Sequence, residues 1–370
     1  MVPGEVTTIH LIAAARPNFM KIAPLYHALS AELWCEPRIV HTGQHYDSNM
    51  SDAFFSDLGL PHPHHHLGVG SGTHAEQTGG VMVAYEKVCF IDRPDWIVVA
   101  GDVNSTIACA LVGAKLLIPV AHLEAGLRSG DRSMPEEINR ILTDAISALL
   151  WTPSQDANEN LIAEGVAAEK IDFVGNIMID SYAMLKDKIQ AARTTSTLEL
   201  IPGEFGVVTL HRPSNVDHRE TLRSLLEQLA QAARFIPLVF AVHPRTRKSI
   251  DEFGLQPVLV SAPGLKCVEP LGYVEFMNLV ERSRFVLTDS GGVQEETTYL
   301  GIPCITLRDT TERPVTVTIG TNELVRHEDL LSRIRGIVDH HMKQGAVPKL
   351  WDGNTAARVV ASLRQRCASQ

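Results

Sequence analysis

Short apolar, β-branched runs alternate along the whole chain with stretches whose apolar residues recur every three or four positions. The runs TTIHLIAAA, PRIVHTG, DWIVVAGD, IPVAHLE, LLWTPS, KIDFVGN, GVVTLH, IPLVFAVHP, LKCVEP, RFVLTDS and PCITLRD predict strands, and the segments 105–117, 135–149 and 219–234 predict helices. Near-continuous apolar strands separated by helices predict an α/β fold in which parallel sheets are covered on both faces.

A chain of 370 residues suits two such domains better than one. The two halves echo each other. WIVVAGDVNST leads through a helix to IPVAHLE, and RFVLTDSGGVQEE leads through a helix to IPCITLRD. Two copies make two related βαβ units, whereas a solenoid needs more. The stretch 180–203 reads as a helix and a polar, Thr-rich passage between the halves, with a boundary nearer Gly175 as the alternative.

Composition narrows the possible partners. The formal net charge of −10, without a block of Lys or Arg, argues against a sequence-independent grip on nucleic acid. No apolar run approaches the ~20 residues that span a bilayer, and the start of the chain lacks the order of a signal peptide. Six scattered cysteines without a CxxC motif point to a reduced, cytoplasmic protein.

Candidate chemistry gathers at predicted strand ends, where open α/β sheets bind ligands. Arg16 and Lys21 follow the first strand, and both suit a phosphate or an ordinary surface turn. In Asp289-Ser290-Gly291-Gly292, two glycines at a strand-to-helix turn let backbone N–H groups approach an anion, or simply make the turn tight; Glu296 lies one turn further on, placed to accept from ribose hydroxyls. Asp102, Glu124, Glu136 and Glu137 form a set of carboxylates in the first half. Glu136 and Glu137 also suit a helix N-terminus and Asp102 a cap, but Glu124 has no capping role. His211-Arg212-Pro213 closes a strand and suits phosphate contact or proton transfer, and His243-Pro244-Arg245 repeats the arrangement. The glycines of GVGSG (68–72) do not form a dinucleotide fingerprint. The histidines of PHPHHH (61–66) are expected in a solvated loop, without carboxylate or thiol partners for a metal.

Taken together, ARPNFMKIAPL, HTGQHYDSNMSDAFF, GDVNST, HLEAGLRSGDRSMPEEINR, TLHRPSNVD, HPRT, TDSGGVQEE and LRDTTERP, in that order, resemble the non-hydrolysing UDP-N-acetylglucosamine 2-epimerases. The resemblance implies two Rossmann-like domains of GT-B type with a ligand cleft between them: residues 1–178 with the sugar and catalytic carboxylates, 179–353 binding UDP, and a final helix over 354–370 crossing back to the first domain. It implies Arg16, Phe276, Ser290, Gly291, Gly292, Glu296 and Arg313 at the UDP together with His211, Lys21 beside sugar and phosphate, and Asp102, Glu124 and Glu136 as the acid/base set, with His211 also counted among the catalytic residues. A UDP-sugar substrate, a homodimer, no cofactor, no metal, and neither nucleic-acid nor membrane partners are expected. The chain departs from the family at Asn18 and Val315, where glutamate is common, and at Leu271, where a glutamine often lies near the uracil. GQHYD and HPRTR are similar to sister enzymes acting on UDP-2,3-diacetamido-2,3-dideoxyglucuronate, whereas Thr311-Glu312-Arg313-Pro314 favours UDP-N-acetylglucosamine.

C2 of such a sugar has no adjacent carbonyl, so inversion there calls for UDP to leave and return through a 2-acetamidoglucal, with proton-transfer groups on both ring faces. A GT-B glycosyltransferase, which would need an acceptor, a hydrolysing epimerase, which would release free N-acetylmannosamine, and a non-catalytic UDP-sugar sensor are the competing readings.

Overall fold

A computed structural model describes residues 6–43 and 55–368. The motif GQHYDSNM therefore lies outside the described residues from position 44 onward. The chain divides into two compact units, 1–184 with 349–370, and 185–348.

The first unit is built on seven parallel strands, β1 (Thr7–Ala13), β2 (Cys35–Gly43), β3 (His65–Val69), β4 (Trp96–Ala100), β5 (Val120–Leu123), β6 (Leu149–Thr152) and β7 (Ile171–Phe173), in the order β3-β2-β1-β4-β5-β6-β7. The second has six, β8 (Gly206–Thr209), β9 (Leu238–Ala241), β10 (Leu265–Val268), β11 (Phe285–Thr288), β12 (Cys304–Thr306) and β13 (Asn322–Leu324), in the order β10-β9-β8-β11-β12-β13. Both are doubly wound, Rossmann-like sheets. The central strands β4, β5, β9 and β11 are buried at every position, so they read as unbroken apolar runs and not as alternating ones.

Two strands went unpredicted. β13 is three residues long at a sheet edge. β3 takes His65 and His66 out of the expected loop, and from 61 to 69 the chain alternates between half-buried and exposed positions. That period of two is an edge-strand signal, hidden here because histidine and glycine occupy it.

The unit boundary falls within the helix Ile177–Ala191. The helix Thr355–Ala368 packs on the first unit: Val359 and Leu363 are buried, the Ser362 hydroxyl donates to Asp172 at 2.6 Å, and Trp151 Nε1 donates to the Ser362 hydroxyl at 2.8 Å. Among the described residues no helix is long and apolar enough to cross a membrane.

Candidate active site

In the first sheet the strand order reverses between β1 and β4, the point where open sheets of this kind bind ligands beyond their carboxyl ends. Four of the predicted residues follow β1, β4 and β5. Arg16 is exposed at the start of the helix Arg16–Ser30, and Lys21, one turn on, is buried in an ion pair with Glu124. The helix start is pinned by Asn18, whose side chain accepts from the Ala15 N–H at 3.2 Å and donates to the Ala100 carbonyl at 3.0 Å. Gly101, at φ 72°, makes room for the pair, since a Cβ there would stand 2.8 Å from Lys21 Nζ.

Glu124 is unusual on two counts. Its backbone lies in the left-handed region at φ 75°, a conformation that costs a non-glycine residue about 1–3 kcal/mol. The residue is only 4% exposed, and Oε1 has no hydrogen-bond partner among the described residues. A strained, buried carboxylate with one oxygen held by a cation and the other unsatisfied is costly unless something binds there.

Asp102 is part-exposed and does not cap the helix that follows it, whose N-cap is Val103. It pairs with the buried Arg140, which also donates to Glu137 from Nη2 at 2.7 Å. Glu137 accepts further from the Ser129 and Gly130 N–H groups at 3.0 and 2.9 Å; although burial opposes ionisation, these bonds and Arg140 hold its carboxyl below the usual range. Its neighbour Glu136 is exposed and has no ion-pair partner among the described residues. The first turn of the helix Pro135–Ile146 thus separates the two glutamates, one facing inward and one facing solvent.

Sequence reasoning missed what supports these groups. Arg140 holds Asp102, and the buried His122 bridges Asp144, at 2.6 Å from Nδ1, to the Gly101 carbonyl, at 2.9 Å from Nε2. Arg140, four residues after Glu136 and three after Glu137, was the one local clue; His122 and Asp144 sit on different elements.

In the second sheet the order reverses between β8 and β11; His211 follows β8, Ser290, Gly291, Gly292 and Glu296 follow β11, and Phe276 and Arg313 follow the neighbouring β10 and β12. His211 places Nδ1 2.8 Å from Asp289. Fully buried Asp289 also accepts from the His211 and Arg212 N–H groups and from Asn215 Nδ2. Burial opposes its ionisation, but His211 and these donors outweigh it and keep the carboxyl below its usual range. Asp289 is therefore the buried anchor that sets His211, a role the DSGG motif did not disclose.

Ser290 is the N-cap of the helix Gly291–Leu300 and makes no capping hydrogen bond. A Cβ at Gly291 would come within 2.5 Å of Glu312 and 2.7 Å of Arg313, whereas one at Gly292 would meet nothing within 4 Å. The protein's own packing accounts for the first glycine and leaves the second, at an anion-favouring helix N-terminus, without an internal reason. Arg313 is clamped by Glu312 at 2.5 Å and Glu295 at 2.8 Å, and Arg308 donates to Glu312 at 2.7 Å. Glu296 is buried; burial pushes its carboxyl up to about 7, aided by Glu295 and opposed by a hydrogen bond with Tyr273. A pocket of about 270 Å³ is lined by His211, His243, Leu271, Phe276, Ser290 and Val293 among others, so it brings three of the predicted UDP residues together around an apolar floor.

The sequence profile of the UDP-N-acetylglucosamine 2-epimerase family matches residues 27–364. The chain belongs to that family. Among its relatives, the UDP-N-acetylglucosamine 2-epimerase of Methanocaldococcus jannaschii is 45% identical over 86% of this chain and 88% of its own length. The UDP-2,3-diacetamido-2,3-dideoxy-D-glucuronate 2-epimerase of Pseudomonas aeruginosa is 43% identical over 85% and 87%. The crystal structure of the M. jannaschii epimerase in complex with UDP-GlcNAc and UDP matches with a TM-score of 0.88 and 41% identity, covering 97% of this chain and all of that one. Family membership accounts for the eight ordered motifs, and the two Rossmann-like sheets are the architecture they implied.

Proposed function

We propose that this chain reversibly inverts C2 of UDP-N-acetylglucosamine, giving UDP-N-acetylmannosamine without hydrolysis. The observation that carries the chemistry is Glu124: buried, strained, held by Lys21 on one oxygen and unsatisfied on the other, beside the switch point of the first sheet. Asp102, seated by Arg140, and Glu136, open to solvent, complete the carboxylate set. In the second unit, Ser290, Gly291, Gly292, Arg313, Phe276, His211 and Glu296 hold the UDP, with phosphate at the helix N-terminus and ribose at Glu296.

The reaction balances as an elimination and its reverse. The anomeric C–O bond breaks with its electron pair leaving on the β-phosphate; a carboxylate takes the C2 proton, and that C–H pair becomes the C1–C2 double bond of 2-acetamidoglucal. A proton is then delivered to the other face of C2 while the UDP oxygen re-adds to C1. The enzyme is inferred to work as a homodimer in the cytoplasm, and its six cysteines, all free and all but one buried, suit a reducing compartment.

The deciding experiment is NMR of the purified chain with UDP-N-acetylglucosamine in heavy water. Product bearing deuterium at C2, with traces of UDP and glycal on long incubation, is expected. Turnover with full retention of the C2 hydrogen would overturn the mechanism. The near-equal identity of the P. aeruginosa relative favours one alternative substrate, so UDP-2,3-diacetamido-2,3-dideoxyglucuronate is run in parallel, and preference for it would reassign the substrate.

A further inference from the structure

Away from these strand ends, three side chains from distant parts of the sequence converge in the first unit. His10 lies within β1, His65 opens β3, and Asp92 caps the C-terminal end of the helix His74–Ile91. That helix runs back between parallel strands, so its last residue sits toward their amino ends, opposite the end that carries Arg16, Asp102 and Glu124. His10 Nε2 stands 3.3 Å and His65 Nε2 2.6 Å from the same oxygen of Asp92, Oδ2, and the three ligand atoms lie within 4.8 Å of one another.

We propose that His10, His65 and Asp92 form a binding site for a divalent transition ion of the zinc type, separate from the proposed active site. Two imidazole nitrogens and one carboxylate oxygen suit such an ion; magnesium and calcium prefer all-oxygen shells. Metal–ligand bonds of about 2.0–2.2 Å place neighbouring ligand atoms of a tetrahedron roughly 3.4 Å apart, close to the His10–Asp92 spacing. The His65–Asp92 hydrogen bond must open by roughly 0.8 Å to admit the ion, a shift that an edge-strand side chain, 25% exposed, can make. Water supplies the fourth position.

The outer contacts fit. The other nitrogen of His10, Nδ1, is 3.1 Å from the buried Tyr85 hydroxyl, which fixes the ring with Nε2 toward the site. Arg38, on β2 between the two histidine strands, pairs with Oδ1 of Asp92 and leaves Oδ2 to the ion. Its positive charge opposes a second cation, but Glu36 pairs with it at 3.1 Å and offsets part of that repulsion. A bound ion would staple β1, β3 and the end of the helix into one unit. The histidine run 61–66 offers no carboxylate partner in sequence, and the fold supplies one to His65.

The test uses the full chain stripped with chelator, then titrated with cobalt(II) and zinc(II) chlorides. One cobalt per chain with the intense visible absorption of a four-coordinate ion is expected, displaced by zinc, and zinc is expected to raise the thermal midpoint by ligand linkage. His65→Gln should abolish both effects while melting like wild type in chelator, and Asp92→Asn should do the same if His65→Gln proves unstable. Tyr85→Phe should weaken cobalt binding roughly 10–100-fold, as loss of an outer-shell partner does. His62→Gln and His66→Gln should leave the absorption unchanged. Absence of a stoichiometric band, its survival in both His65→Gln and Asp92→Asn, or its loss in His62→Gln or His66→Gln would overturn the proposal. None of these readouts depends on epimerase activity.

Discussion

Two glutamates make opposite demands on their surroundings. Glu124 keeps a left-handed backbone and an oxygen without a hydrogen-bond partner among the described residues, two costs to the fold gathered at one carboxylate. Glu124→Gln should therefore cut turnover by about 10²–10⁴-fold, the usual worth of a general acid or base, with little change in UDP affinity by calorimetry. Glu296 is raised from an ordinary 4.5 to about 7, so the folded state binds its proton more tightly than the unfolded chain does. Its stabilising contribution is then fully present below about pH 4.5 and is lost as the pH rises through 7. Glu296→Gln should match wild type in urea melts near pH 4.5 and be more stable above pH 7, by up to about 3 kcal/mol. A constant difference across that range would mean the residue does not titrate as described. Its UDP affinity should fall at the same time, since the amide replaces an acceptor of ribose hydroxyls. At this scale the sequence was legible for residues that stand on strand ends, such as Glu124 and Ser290. It was silent on their partners: Lys21 lies 103 positions from Glu124, and only the sheet order brings them together.

At the scale of elements, the turn between β11 and its helix separates packing from binding. Gly291→Ala would drive a Cβ into the Glu312–Arg313 pair and should lower stability and UDP affinity together. Gly292→Ala meets open space, so thermal stability should hold while UDP affinity drops, provided the phosphate approaches there. Equal UDP affinity in Gly292→Ala and wild type would move the phosphate elsewhere. Buried parallel strands were legible because both faces are covered and their apolar runs are continuous. β3 was not, because its inward positions are filled by His65, Leu67 and Val69 between polar or small residues, and its carboxylate partner arrives from a helix 27 residues later.

Across the whole molecule, the first unit takes its last helix from the far end of the chain. Leu363, fully buried in that helix, should cost about 2–5 kcal/mol of stability when changed to alanine, read in the unfolding of the first unit, with calorimetric UDP binding unchanged. Loss of UDP binding in a folded Leu363→Ala variant would mean the nucleotide residues depend on this helix. The return of 349–370 also sets a timetable for the ribosome. Unit two is complete once residue 348 has emerged, whereas the seven-stranded sheet that was made first still lacks the segment 349–370 with its helix Thr355–Ala368. The usual rule that amino-terminal domains finish first is reversed here, and nascent chains paused before position 355 should be captured by chaperones through the surface that Val359 and Leu363 later cover.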